Sequence, residues 1–101
     1  MIHTIIVTSK GQCKELDTTA IQVYTIEGQM MILPNHMPII AMLTKSPCIF
    51  WIHDEKKTFI FSNGVMQFEN NQMIIVCEAM KSNEEIDIVI DKKVMNNQKS
   101  I

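Results

Sequence analysis

The sequence predicts a mainly β fold of the sandwich or barrel type, on three observations. Short segments of four to eight residues are rich in Val, Ile, Thr and aromatics. Turn residues recur between them every few positions, as in antiparallel sheet proteins. No stretch of the first 80 residues leaves room for a helical core.

Residues 3–8 (His-Thr-Ile-Ile-Val-Thr) form a first strand, closed by Ser9-Lys10-Gly11. A second strand is expected near 19–26, where Ala20, Ile21, Val23, Tyr24 and Ile26 supply a mixed inward and outward face. Gly28 tolerates positive φ and turns the chain into 29–33, and Leu33-Pro34 ends that strand because proline has no N–H to donate. A strand at 39–43 follows the Asn35-His36-Met37-Pro38 corner. Ser46-Pro47 starts the run 48–53, which holds the single Trp51. Asp54-Glu55-Lys56-Lys57 reads as a polar hairpin tip leading to 58–62. Asn70-Asn71 is a two-residue hairpin turn, since both residues accept left-handed backbone, so 64–69 should pair antiparallel with 72–78. Ile, Val, Phe and Trp side chains are expected to fill the inner faces.

The pattern changes at Lys81. Ser82-Asn83-Glu84-Glu85 fits a capping box, and Ile86, Val89, Ile90 and Val94 follow at helical spacing, so a helix is expected over about 84–95. The run 86–91 also alternates with period two and is β-branched, which keeps a strand open there. Residues 96–100 should fray.

Composition narrows the function classes. At 101 residues the chain is expected to form one domain able to bury a core without staples. All nine basic residues are lysine, and the net charge of −2 offers no footprint for a polyanion, so nucleic acid is not an expected partner. No apolar run approaches the ~20 residues of a membrane span. Cys13, Cys48 and Cys77 are odd in number, lack a Cys-x-x-Cys pair and come with no secretory leader. A reduced cytosolic chain without disulfides is therefore expected. His3, His36 and His53 do not lie with the cysteines at the spacing of structural zinc, so no metal is expected. A Cys–His nucleophilic dyad stays open, because its partners need not be near in sequence, but no pair is singled out. The acids Asp17, Glu27, Asp54, Glu55, Glu69 and Glu78 sit at turns or strand ends, where a solvated face explains them. Met30, Met31, Met37 and Met42 serve equally as core filling or as an adaptable contact surface.

Three blocks carry a resemblance. Gly28-Gln29-Met30-Met31-Ile32-Leu33-Pro34-Asn35-His36-Met37-Pro38 resembles the G-E-x-G-x-L-P-G-H-x-P-L segment of the epsilon subunit of F-type ATP synthases, which mitochondria call delta. The run from Phe61-Ser62-Asn63-Gly64 to Val76-Cys77-Glu78 is similar to the family's V-S-G-G-x-x-E-V-x-x-x-x-V-x-V-L-A-D strand pair. Glu84-Glu85-Ile86-Asp87 echoes the E-E-I-D that opens the family's C-terminal helices. Asn35 and Asn63 replace family glycines, and asparagine is the next residue best suited to left-handed backbone. The resemblance covers roughly 3–88. It implies an epsilon-type β-sandwich of about ten short antiparallel strands over 1–82, with a short C-terminal helix or tail over 83–101. The family's helical hairpin, an inhibitory arm, is not expected, and neither are a cofactor or appreciable nucleotide binding.

The resemblance further implies a non-catalytic central-stalk subunit of a rotary ATPase, peripheral to the membrane on its cytoplasmic side. The gamma subunit would be its partner, with alpha and beta reached through gamma and the membrane c-ring left open. Carried over position by position, Thr8, His36, Met37, Pro38 and Ala41 would face gamma, and Gly28 and Gln29 would face the ring. Gln29 replaces an acid often found in the family. Asn35, Asn63 and Gly64 would be structural turns, and no catalytic or metal-binding residue is implied. An apolar patch around Met30, Met37, Pro38 and Ile40 should need cover by the partner. Two alternatives stand beside this: an epsilon-like subunit of a repurposed F1-like motor, and a small β-sandwich enzyme or metalloprotein.

Overall fold

A computed structural model describes residues 1–82. The helix expected over 84–95 lies outside the described residues. Ten strands run in chain order: β1 (Ile2–Thr8), β2 (Cys13–Thr18), β3 (Ala20–Thr25), β4 (Gly28–Ile32), β5 (Ile39–Met42), β6 (Cys48–Ile52), β7 (Glu55–Ser62), β8 (Val65–Glu69), β9 (Gln72–Cys77) and β10 (Ala79–Ser82). They form two five-stranded sheets. The first has the order β2-β1-β9-β8-β5 and the second β10-β7-β6-β3-β4.

The expectation of uniformly antiparallel strands needs one correction: β1 and β9 pair parallel, His3 facing Gln72 through to Thr8 facing Cys77. No tight turn can make such a pair. The long route between β1 and β9 does, laying down β3, β4, β6 and β7 of the second sheet on the way. Strand β2 is absent from the sequence pattern, because Cys13-Lys14-Glu15-Leu16-Asp17-Thr18 has only Leu16 as a large apolar residue. It is an edge strand, and its inward-pointing Lys14 lays its ammonium 5.0 Å from the Phe59 ring centre. An inward lysine is one device that keeps a sheet edge from pairing with another chain. The other unexpected strand, β10, is also an edge and is short. Glu55, Lys56 and Lys57 are strand residues facing Ile52, Trp51 and Phe50, not a hairpin tip. The turn is His53-Asp54, and His53 has φ 58°.

Alternation places one set of side chains between the sheets. Phe50, Phe59, Phe61 and Phe68 are fully buried with Ile2, Ile6, Ile21, Ile32, Met66, Met73 and Ile75. Trp51, expected in the core, points outward from β6 and is half-buried; the inward positions of that strand belong to Cys48 and Phe50. Gly64 has no positive φ. Its small size is what counts, since an added Cβ would stand 3.3 Å from both Leu43 Cδ1 and Phe61 Cβ.

Four threonines are buried in the same layer. Thr18 donates to the Ile2 carbonyl, Thr25 to that of Gly28, and Thr8 accepts the Gln12 N–H. Thr4 Oγ1 finds no partner among the described residues. An unmade hydrogen bond leaves only the desolvation cost, so Thr4→Val should stabilise the fold by about 1 kcal/mol. Urea denaturation with an unchanged slope is the measurement, and a loss of stability would show that the hydroxyl is satisfied.

Candidate docking surface at the Pro34 corner

Loops alternate between the two ends of the sandwich. One end carries Asn70-Asn71 and the Leu33-to-Pro38 connection that takes the chain from the second sheet to the first. The other carries Gly11, the β3–β4 hairpin and Asn63-Gly64. Backbone bonds tie the second end together, Ile26 N–H donating to the Met42 carbonyl and Leu43 N–H to that of Gly64.

The corner is a local consequence of its sequence. Pro34 presets φ at the second turn position, Asn35 takes φ 69° at the third, and His36 N–H closes the turn on the Leu33 carbonyl at 3.1 Å. This is the pattern of a type II turn, which requires positive φ at its third residue. Asn35 N–H then donates to Asn71 Oδ1 at 2.6 Å, and Asn71 Nδ2 donates back to Asn35 Oδ1 at 3.0 Å. The pair locks the corner to the β8–β9 hairpin, where Asn70 and Asn71 have φ 52° and 59°. His36 Nδ1 lies 2.7 Å from the Met37 carbonyl, and its ring meets Phe68 edge-on at 6.0 Å. An Nδ1–H donated to that carbonyl leaves Nε2 as the free acceptor.

Beyond His36 the surface turns apolar. Met37 is 72% exposed and Ile40 71%, with Pro38 exposed between them. Met30, expected in the same patch, is instead half-buried against the core. Strands β4 and β5 are the edges of their sheets on this side, and between them lies a groove of about 310 Å³. Met30, Ile39 and Ala41 are among the residues lining it, with Ile26 and Met42.

The residues expected to face a partner divide into groups. His36, Met37 and Pro38 stand together at the corner. Ala41 is half-buried with its side chain toward the core. Thr8 is 3% exposed and lies at the opposite end of the first sheet, its hydroxyl occupied by the Gln12 N–H. Gly28, with φ 123°, and Gln29 are exposed on the β3–β4 hairpin, also at the far end. Asn63, with φ 52°, caps the β7–β8 turn and donates Nδ2 to Glu78 Oε2 at 2.7 Å. The sequence pattern did not mark Ile26 and Leu33 as surface residues, yet they are 67% and 54% exposed, and Met42, left open between core and contact surface, is 56% exposed. A signal is present for Met42: Ile39-Ile40-Ala41-Met42 is apolar on both faces of its strand, the pattern of a strand covered on both sides.

Burial pushes the Cys48 and Cys77 thiols up, which disfavours the thiolate form at both. Among the described residues no three His, Cys, Asp or Glu side chains converge as metal ligands would. No helix among them is long and apolar enough to cross a membrane.

A ten-strand sandwich with this corner can be compared with known proteins. The model of the ATP synthase delta/epsilon chain beta-sandwich domain matches residues 1–83. The chain belongs to that family. It is 30% identical over 87 residues to the ATP synthase epsilon chain of Halalkalibacterium halodurans, covering 86% of this chain and 65% of that one. To the ATP synthase epsilon chain of Clostridium novyi it is 38% identical over 84 residues, covering 81% and 63%. Its backbone matches a chain of the Euglena gracilis mitochondrial ATP synthase OSCP/F1/c-ring assembly with a TM-score of 0.76 over 98% of this chain and 64% of that one. At 20% identity that likeness shows a shared fold. The chain thus spans less than two thirds of the length of these two epsilon chains and of the matched Euglena chain.

Proposed function

We propose that this delta/epsilon-family sandwich is a non-catalytic central-stalk subunit of a rotary F-type ATPase. It binds the gamma subunit, through gamma joins alpha and beta, and couples shaft rotation to the membrane ring. Membership of the family over 1–83, with the rigid apolar corner that its signature segment builds, is the observation that carries the reading.

The role needs a stiff body with two separated contact regions, and the geometry supports one. His36, Met37 and Pro38 form the gamma side, and Ala41 lines the groove that runs from β5 toward the β3–β4 hairpin. Gly28 and Gln29 form the ring side, one strand length away along β4, roughly 17 Å at 3.4 Å per residue. Thr8 contributes by holding the β1–β2 turn in shape. A chain in this position is peripheral to the membrane. Both relatives are named ATP synthase epsilon chains, and no observation favours a repurposed motor.

An affinity tag on the chain, with purification from its own cells after gentle lysis, should recover gamma together with alpha and beta. Recovery of the chain alone under those conditions would remove the rotary-subunit reading.

A further inference from the structure

The β7–β8 turn makes a separate demand on each of its two residues. Residue 63 takes φ 52°, which selects asparagine or glycine. Residue 64 has no room for a side chain, since a Cβ there would stand 3.3 Å from both Leu43 Cδ1 and Phe61 Cβ. Meeting the first demand with asparagine and the second with glycine creates an Asn-Gly pair. Of all the asparagines in the chain, only Asn63 precedes a glycine.

That pair is chemically labile. With no Cβ beside it, the Gly64 backbone nitrogen can close on Asn63 Cγ once a solvent base has taken its proton. An N–Cγ bond forms, the Cγ–Nδ2 bond breaks, and Nδ2 leaves as ammonia with a proton drawn from solvent. The resulting five-membered succinimide adds water at either of its carbonyls. It opens to aspartate, or to isoaspartate with one more methylene carbon in the main chain. Water is the only co-reactant.

The folded chain holds this reaction back. Asn63 is exposed, but its Nδ2 donates to Glu78 Oε2 at 2.7 Å. Glu78 is itself anchored: its N–H donates to the Ser62 carbonyl at 2.9 Å, and its carbonyl accepts the Ser9 hydroxyl at 3.2 Å. On the other side of the turn, Leu43 N–H donates to the Gly64 carbonyl at 2.8 Å. Carboxamide and backbone must both let go before Cγ can turn onto the Gly64 nitrogen, and that release is a local opening of the turn.

We infer that Asn63 is the deamidation site of this chain, gated by opening of the β7–β8 turn and guarded by the Glu78 carboxylate. The inference is independent of the stalk role proposed above. Conversion replaces the Nδ2 donor by a carboxylate facing Glu78, so a hydrogen bond becomes a like-charge contact. It also adds one negative charge to a chain whose net charge is −2, at the end of the sandwich that carries the β3–β4 hairpin.

The test is incubation of the purified full chain in mildly alkaline buffer, with peptide mapping and isoaspartyl methylation to read each asparagine. Asn63 should convert ahead of every other asparagine, and about five-fold more slowly in the native chain than in guanidinium chloride, as a turn that must open locally would. Glu78→Ala should speed the native reaction about three-fold or more by removing a hydrogen bond to a charged group, and leave the rate in denaturant unchanged. Asn63→Gly keeps the positive φ and should abolish the isoaspartate signal. Asn63→Asp makes one product directly and should melt about 4 °C lower, with Glu78→Gln beside it restoring the melting point. Thermal melting also confirms that each variant is folded. Faster conversion at another asparagine of the native chain overturns the assignment. Equal native rates in wild type and Glu78→Ala, or equal rates with and without denaturant, overturn the guard.

Discussion

Truncation of Phe50 to alanine is expected to destabilise the sandwich by about 3–5 kcal/mol. The ring is fully buried and stands edge-on to both Phe59, at 5.4 Å, and Phe61, at 6.2 Å. Its strand, β6, is the central one of the second sheet, with β7 and β3 on either side. Such a site has no edge from which neighbours can collapse into the space, so most of the cavity term should persist. A domain of this size has only about 5–15 kcal/mol in total, and each kcal/mol lowers its melting temperature by roughly 4–8 °C. The loss should be plain in both urea and thermal denaturation. Trp51→Ala is the control, one position along the same strand but on the outer face, and should cost less than about half as much because its ring is only partly removed from water. Equal costs would mean that the inward and outward faces of β6 have been exchanged.

Asn35→Val is expected to cost about 2–3 kcal/mol, from two separable causes. A β-branched residue forced to φ 69° carries roughly 1–2 kcal/mol of steric strain. The remainder comes from the reciprocal bond with Asn71, whose Nδ2 loses its acceptor. Asn35→Gly separates the two. Glycine adopts the same φ without strain but also abandons Asn71, so it should cost only about 1 kcal/mol. Chemical denaturation of both variants measures the difference. If valine and glycine cost the same, strain at the corner is negligible and the left-handed geometry of Asn35 does not decide why asparagine stands there.

Several features are legible in the sequence because their causes act within a few residues. Leu33-Pro34 ends β4 because proline cannot donate to a ladder, and Asn70-Asn71 makes a two-residue turn because both side chains tolerate left-handed backbone. Asn35 and Asn63 take positive φ for the same steric reason that glycine would. The mainly β class follows from alternation and turn spacing, which are also local. Strands β2 and β10, the strand character of Glu55, Lys56 and Lys57, and the outward turn of Trp51 are not legible there. In the strand cases a polar or ambiguous segment is held in the sheet by hydrogen bonds to a neighbouring strand, as Cys13 to Thr18 is by β1.

By itself, then, the sequence determined the β class, the turns and the chemistry of the Pro34 corner, because sterics and hydrogen-bond donors a few residues apart suffice for those. Only the tertiary structure decided which apolar residues lie inside. Ile39 and Ile40 are adjacent and chemically identical, yet one packs on the core and the other is 71% exposed. The parallel pairing of β1 with β9 joins residues about 70 positions apart and adds Val7 to the row of Val76, Val65 and Met42 that the antiparallel β9–β8 and β8–β5 pairs line up on one face. Likewise Gly64 is confined by Leu43 and Cys77, and Thr8 is separated from His36 by the length of the sheet. Such placements depend on which distant strands meet and in what register, a property of the packed chain that no local window contains.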